Sequence, residues 1–146
     1  QRARPDVRIA PISVQSHEPS AIRGAARALA ALLANRDILL AATTDLTHCG
    51  KAYGQIPPRG KTPGEFAREQ DAHVIEKLRT LDIAGFWDVV RTCRVTMCGV
   101  APTALMIEYG LARGATSATI VAYATSADRE PGADRAVGYA GVIVAR

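Results

Sequence analysis

The chain has 146 residues, the size of one ordinary domain, and its 48% hydrophobic content can fill a sizeable core although only 5% of residues are aromatic. The formal net charge is +4, from 18 basic and 14 acidic residues; nearly all the basic ones are arginines, scattered and not interleaved with aromatics, which argues against a nucleic-acid surface. No apolar run is long enough to span a bilayer, no secretory signal pattern opens the chain, and three cysteines without a CxxC pair argue against a disulfide framework or a structural zinc site, so no membrane role and a cytoplasmic location are expected.

In chain order, Val7-Arg8-Ile9-Ala10-Pro11-Ile12-Ser13-Val14 reads as a strand, with a bulge or an unpaired position at Pro11. Ser20 is the expected cap of a helix that runs to about Asn35, because Ile22, Ala25, Ala26, Leu29, Leu32 and Leu33 recur at helical spacing. Asp37 to Thr43 contains the continuous apolar run Ile38-Leu39-Leu40-Ala41-Ala42, and predicts a strand buried on both faces. Residues 44–62 read as a long loop rich in glycine, proline and basic residues, of the length that serves function or mobility. Thr62-Pro63-Gly64-Glu65 then supplies an N-cap, a proline at the first helical position and a capping-box glutamate. That helix is expected to reach about Leu81, with Phe66, His73, Val74, Ile75 and Leu78 as candidate inner residues.

Gly85 to Val90 predicts a short helical segment that places Phe86 and Trp87 in the core, with Cys93 packing behind it. Ala101 to Arg113 predicts a helix that ends at Gly114. Ala118 to Thr125 and Arg135 to Ala145 read as strands able to pair antiparallel, and Gly138 inside the second points to a close backbone approach. The order of elements predicts an α/β layered sheet in residues 1–146, with no internal repeat.

The chemistry concentrates in Thr43-Thr44-Asp45-Leu46-Thr47-His48-Cys49-Gly50, a polar cluster expected at the carboxyl end of a buried strand. His48 there can be a general acid/base, a metal ligand or a loop histidine that caps a backbone group. Asp45 can orient the imidazole or cap a turn. Cys98, in Met97-Cys98-Gly99 just before a helix, can be a nucleophile or metal ligand with a lowered pKa, or a small buried apolar residue. Cys49 can simply fill a gap. Thr44, Thr47, Ser126 and Asp128 are candidates to line the same cleft. There is no phosphate-binding glycine loop and no GxSxG elbow; Gly50 and Gly54 are followed by Gln55, which is no Walker sequence.

These residues in this order resemble the Memo family, also called the AmmeMemoRadiSam system protein B group. The family's Ser-Ser-Asp-hydrophobic-Ser-His-aromatic-Gly motif is matched by Thr43 to Gly50, with Cys49 in place of the aromatic. Its later Cys-Gly is matched by Cys98-Gly99, with Pro102 in the helix that follows. Its Tyr-x-Thr-Ser-Gly-Asp stretch is matched by Tyr123 to Asp128, with Ala127 in place of the glycine, and its closing Val-Gly-Tyr by Val137-Gly138-Tyr139. The opening Pro5 to Ile12 also resembles a family strand, so the similarity covers essentially the whole chain.

The resemblance implies a layered αβα fold around a central mixed sheet, related to class III extradiol dioxygenases. It implies that the chain is a single domain or the C-terminal half of a Memo-like domain about twice as long. In that family the first half carries two histidines that form a metal site with the cysteine matched by Cys98. The resemblance thus implies a transition metal (copper, iron or zinc), with a soft thiolate favouring copper or zinc, and an acid/base role for His48 with Asp45. The histidines are expected from a missing N-terminal half or from a partner chain, and homo-oligomerisation is compatible with either. Three functions follow: a metal-linked redox or dioxygenase-related enzyme, a non-catalytic module that holds a peptide or small molecule in the same cleft, and a hydrolase with Cys98 as nucleophile and His48 as base.

Overall fold

A computed structural model describes residue 2 and residues 5–145. Its elements are α1 (Pro19–Leu32), β1 (His48–Gly50), α2 (Pro63–Arg79), α3 (Ile83–Thr92), α4 (Val100–Ala112), β2 (Ser117–Thr125) and β3 (Arg135–Ala145), with single 3₁₀ turns at Lys51–Tyr53 and Ser126–Asp128. The described residues form a mixed α/β structure with four α-helices and one three-stranded sheet.

The helices start where local chemistry starts them. Thr62 and Glu65 make the expected reciprocal capping box at the head of α2. Asp82 caps α3 by accepting the Gly85 N–H at 2.9 Å, which lengthens this helix beyond the short segment expected from its apolar residues. Gly114, at φ +87°, follows the C-cap of α4, as a left-handed glycine should. Ser20 is not a cap. Pro19 occupies the first turn of α1, Glu18 is the N-cap residue, and the Ser20 hydroxyl turns back to Glu18. The inner stripe of α1 is Ile22, Ala26 and Ala30, whereas Ala25 and Leu32 face solvent. His73 is likewise exposed on α2.

The strand order is β1-β3-β2, and both pairings are antiparallel, so the described sheet is antiparallel and not mixed. β2 and β3 pair from Ser117↔Ala145 to Thr125↔Gly138, with a bulge between Ile120 and Ala122. β1 lies within the stretch read as a loop, and pairs His48↔Val137 through Gly50↔Arg135. α2 packs on all three strands, and α1 packs on α4. The core between them is led by Phe86, Ile22, Ile107 and Val74, all fully buried. Burial of each such side chain stabilises the fold by about 1.5–3 kcal/mol.

Two expected strands do not form. Residues 7–14 and 37–43 carry no ladder hydrogen bonds assigned as strand. Ile9 is 69% exposed and Leu39 is 92% exposed, so neither run has the two-sided cover that its composition calls for. Val14 and Leu40 touch the rim of the core, but the described residues supply no neighbouring strand to pair with either run.

Candidate functional site

The site grows from the turn that leads into β1. The Thr44 hydroxyl accepts the Gly99 N–H at 2.8 Å and donates to the Asp45 carbonyl at 2.7 Å, which ties this turn to the loop before α4. Gly99 is needed there, because a Cβ at that position would stand 2.5 Å from the Thr44 Cβ. The same junction brings Cys98 alongside: its Sγ accepts the Asp45 N–H at 3.3 Å and lies 3.7 Å from the Thr44 Oγ1. Cys98 is solvent-exposed, so this thiol is accessible. Asp45, His48 and Cys98 are therefore drawn to one corner. The corner lies at the start of β1, whose first residue is His48, and not at the carboxyl end of that strand.

His48 is fixed by backbone. Its Nδ1 lies 3.0 Å from the Leu46 carbonyl and 3.0 Å from the Thr96 carbonyl. Both partners are acceptors, so Nδ1 carries the proton and the neutral ring keeps its lone pair on Nε2. Nε2 points toward the Asp45 carboxylate at 3.8 Å, a distance for charge attraction but too long for a hydrogen bond. The backbone, and not Asp45, sets the ring's orientation. Thr96 completes the clamp: its hydroxyl accepts the His48 N–H at 2.8 Å and sits 2.8 Å from both the His48 carbonyl and the Gln55 side-chain oxygen. Tyr53 packs its ring edge-on against the imidazole, with centroids 5.1 Å apart.

Behind His48 lies a residue that the sequence reading passed over. Asp71 is fully buried on α2. Its Oδ1 accepts the Thr47 N–H at 2.9 Å, and its Oδ2 accepts the Tyr123 hydroxyl at 2.8 Å. Burial pushes the Asp71 carboxyl above the usual carboxylate range, against the opposing pull of Thr47 and Tyr123. Burial, followed by donation to Asp71, pushes the Tyr123 phenol well above its ordinary value. The carboxylate also explains Gly138, since a Cβ there would fall 1.8 Å from the Asp71 Oδ2. One signal in the sequence pointed to Asp71: it falls in register with Ala67, Val74 and Leu78, on the inner stripe of α2. Thr96 lies in an irregular segment and carries no comparable signal.

The other expected residues make their bonds elsewhere. Thr47 is buried beside Asp71. The Ser126 hydroxyl accepts the Val137 N–H at 3.0 Å, and Asp128 accepts the Thr125 N–H at 2.8 Å and pairs with Arg68. The Thr125 N–H, with Arg68 beside it, holds the Asp128 carboxyl below its usual range. None of these groups is bonded to Cys98 or to the His48 ring. Cys49 is buried among Ala67 and Ala136, where burial pushes its thiol up, and Cys93 packs at the edge of the core. Beside Thr44 a cavity of about 100 Å³ opens between Leu46, Met106, Ile107 and Val142.

Among the described residues no three His, Cys, Asp or Glu side chains are grouped as a metal site. The donor set here is one exposed thiol, one half-exposed carboxylate and one imidazole nitrogen, which by itself does not fit a complete metal centre. Among the described residues no helix is long and apolar enough to cross a membrane.

Comparison with known proteins adds the ancestry. The model of the Memo-like protein family matches residues 1–143. The MEMO1 family protein of Thermococcus onnurineus is 33% identical over 98% of this chain and 50% of its own length. Those of Pyrococcus abyssi and Methanopyrus kandleri are each 31% identical, over 100% and 95% of this chain and 52% and 46% of their own lengths. The chain thus spans about half the length of the curated relatives it matches.

Proposed function

The chain belongs to the Memo-like protein family, and from that premise we propose that the corner of Asp45, His48 and Cys98 is part of an enzyme site with metal-linked redox or dioxygenase-related chemistry. In this reading His48 moves a proton through Nε2, Asp45 stabilises the imidazolium across 3.8 Å, and Cys98 is one ligand of a transition metal. The observation that carries the reading is the pair of carbonyls at Nδ1, which leaves Nε2 as the free nitrogen of the ring. A histidine held only to fill space would not need its Nδ1, its ring against Tyr53 and its main chain held at once.

The donor set is incomplete among the described residues, so the reading includes a histidine-bearing segment, from a longer form of the protein or from a partner, that completes the metal site. A thiolate with imidazoles selects copper or zinc over iron. The same segment would cover residues 7–14 and 37–43 and turn the antiparallel sheet into the central mixed sheet of a layered αβα fold, like that of class III extradiol dioxygenases. An odd number of cysteines, none of them paired, suits the cytoplasm.

The test is a titration with copper, zinc and iron, with and without the segment that makes up the other half of the longer relatives, followed by oxygen-consumption assays. Tight binding only with that segment, lost in Cys98→Ser, supports the reading. Tight stoichiometric binding by this chain alone, or binding indifferent to Cys98→Ser, overturns it. The cavity beside Thr44 favours a second reading, a module that holds a small ligand without turnover. Ligand binding by a protein that stays inert when metal-loaded would establish that reading instead. The partners of Cys98 are Thr44 and Asp45 and not an imidazole, which disfavours a thiol hydrolase.

A further inference from the structure

We propose that the cavity beside Thr44 is a binding pocket for a small, uncharged, largely aliphatic molecule that carries one hydroxyl or carbonyl group, and that the Thr103 hydroxyl is the group that holds it. The inference deepens the reading of the Asp45, His48 and Cys98 corner as the functional site, because the pocket adjoins that corner.

The cavity has a volume of about 100 Å³. α4 walls it with Thr103, Met106 and Ile107, whose spacing puts them on one face of the helix. β3 walls it with Ala140, Val142 and Val144, alternate residues that share the inner face of the sheet. Apart from Thr44, the remaining wall is alanine and leucine, and no charged side chain lines the space among the described residues. An ion would lose its hydration there and find no opposite charge, so the occupant is uncharged.

Thr103 supplies the second observation. It is 7% exposed, and its hydroxyl has no hydrogen-bond partner among the described residues. A helical threonine can bond its hydroxyl to the carbonyl four residues back. Here the Gly99 carbonyl takes the Thr103 N–H at 3.1 Å and not the hydroxyl. A buried polar group without a partner carries an uncompensated desolvation cost, and the cavity is the adjoining space from which a partner can come. The other polar wall residue is already committed, since the Thr44 hydroxyl accepts the Gly99 N–H and donates to the Asp45 carbonyl. One side-chain hydroxyl therefore remains for the occupant. A buried water needs several polar partners, whereas an apolar cavity of about 150 Å³ holds benzene. A space of about 100 Å³ with a single open hydroxyl suits an apolar body of about five heavy atoms with one polar group. The Thr44 Oγ1 lies 3.7 Å from the Cys98 sulfur, so this molecule would share a wall with the exposed thiol.

The test is an NMR titration of the chain with 1-butanol, pentane, butyrate and butylammonium at millimolar concentration, followed at the methyl groups of Met106, Ile107, Val142 and Val144. In the unsubstituted protein 1-butanol and pentane are expected to shift these methyls saturably, and the two ions to leave them unmoved. Thr103→Val removes the hydroxyl and keeps the shape. It should weaken 1-butanol about fivefold, the size of one hydrogen bond, and leave pentane bound no more weakly than before. Absence of saturable shifts with 1-butanol, binding of either ion as tight as that of the alcohol, or an unchanged 1-butanol affinity in Thr103→Val overturns the inference. The readout needs neither metal nor turnover. An inert protein with the expected binding pattern would defeat the redox reading and keep the pocket, and an active enzyme whose pocket methyls ignore 1-butanol would do the reverse.

Discussion

Leu39 and Leu46 stand seven residues apart in one stretch, yet Leu39 is 92% exposed and Leu46 only 2% exposed. From Ile38 to Ala42 the chain is apolar but joins no strand among the described residues. Downstream, every main-chain N–H from Asp45 to His48 has a partner: the Cys98 sulfur, the Gly138 carbonyl, the Asp71 carboxylate and the Thr96 hydroxyl. An apolar run states a demand for cover without naming what covers it. Directional bonds with short reach are met locally or not at all, and they decide which part of the stretch is fixed by this chain itself.

The sharpest way to break this comparison is to cut a bond on the fixed side. Asp71→Ala strands the Thr47 N–H and the Tyr123 hydroxyl in the interior and should cost about 3 kcal/mol of stability in a denaturant titration. Gly138→Ala drives a methyl into the same carboxylate and should cost a similar amount. Leu39→Ser, on the open side, should stay within about 0.5 kcal/mol of the parent. A loss at Leu39 as large as that at Asp71 would erase the distinction between the two regions.

A second contrast sets the exposed thiol against the buried one. Cys98→Ser is expected to weaken copper or zinc binding at least tenfold in the completed protein, while Cys49→Ser leaves metal affinity unchanged and instead lowers stability by about 1 kcal/mol. Equal metal loss in both would mean that the wrong thiol has been assigned. A third, smaller contrast concerns helix starts. Thr62→Ala removes a made cap and should cost about 1 kcal/mol, while Ser20→Ala removes no cap and should change the thermal midpoint little.

The smallest expected effect is a pH slope. Burial raises the folded-state pKa of Asp71 above its unfolded value. The native state then holds this proton more tightly, so the contribution is fully present below about pH 4 and is lost as pH rises through the raised folded value. Stability curves of the parent and Asp71→Asn should diverge in that window and run parallel above it. Parallel curves throughout would show that burial does not shift this group.

The parts legible in the sequence were those written in short-range chemistry. The capping box at Thr62 and Glu65, the glycine stop at Gly114 and the strand from Arg135 to Ala145 each sit where residue types alone place them. Asp45, His48 and Cys98 were grouped because His48 and Cys98 each follow an apolar segment beside a helix entry, and the Asp45 N–H stands 3.3 Å from the Cys98 sulfur. β1 was not, because three residues in a glycine-rich stretch carry no alternation to read. Residues 37–43 were read as a buried strand because composition records the need for burial, and the described residues do not meet it. Asp71 was passed over because a charged residue in a helix is normally solvated, and only its register on the inner stripe of α2 says otherwise.

The central claim is that His48 presents a free Nε2 to the corner it shares with Asp45 and Cys98. Nitrogen-15 NMR of the imidazole tests this most directly, because the two tautomers give opposite assignments of the protonated nitrogen. In its neutral form His48 should show a protonated Nδ1 coupled to backbone carbonyls and an unprotonated Nε2. A neutral ring with its proton on Nε2 would contradict the account, since the nitrogen proposed to move the proton would then be occupied and Nδ1 would face two acceptors with none to give.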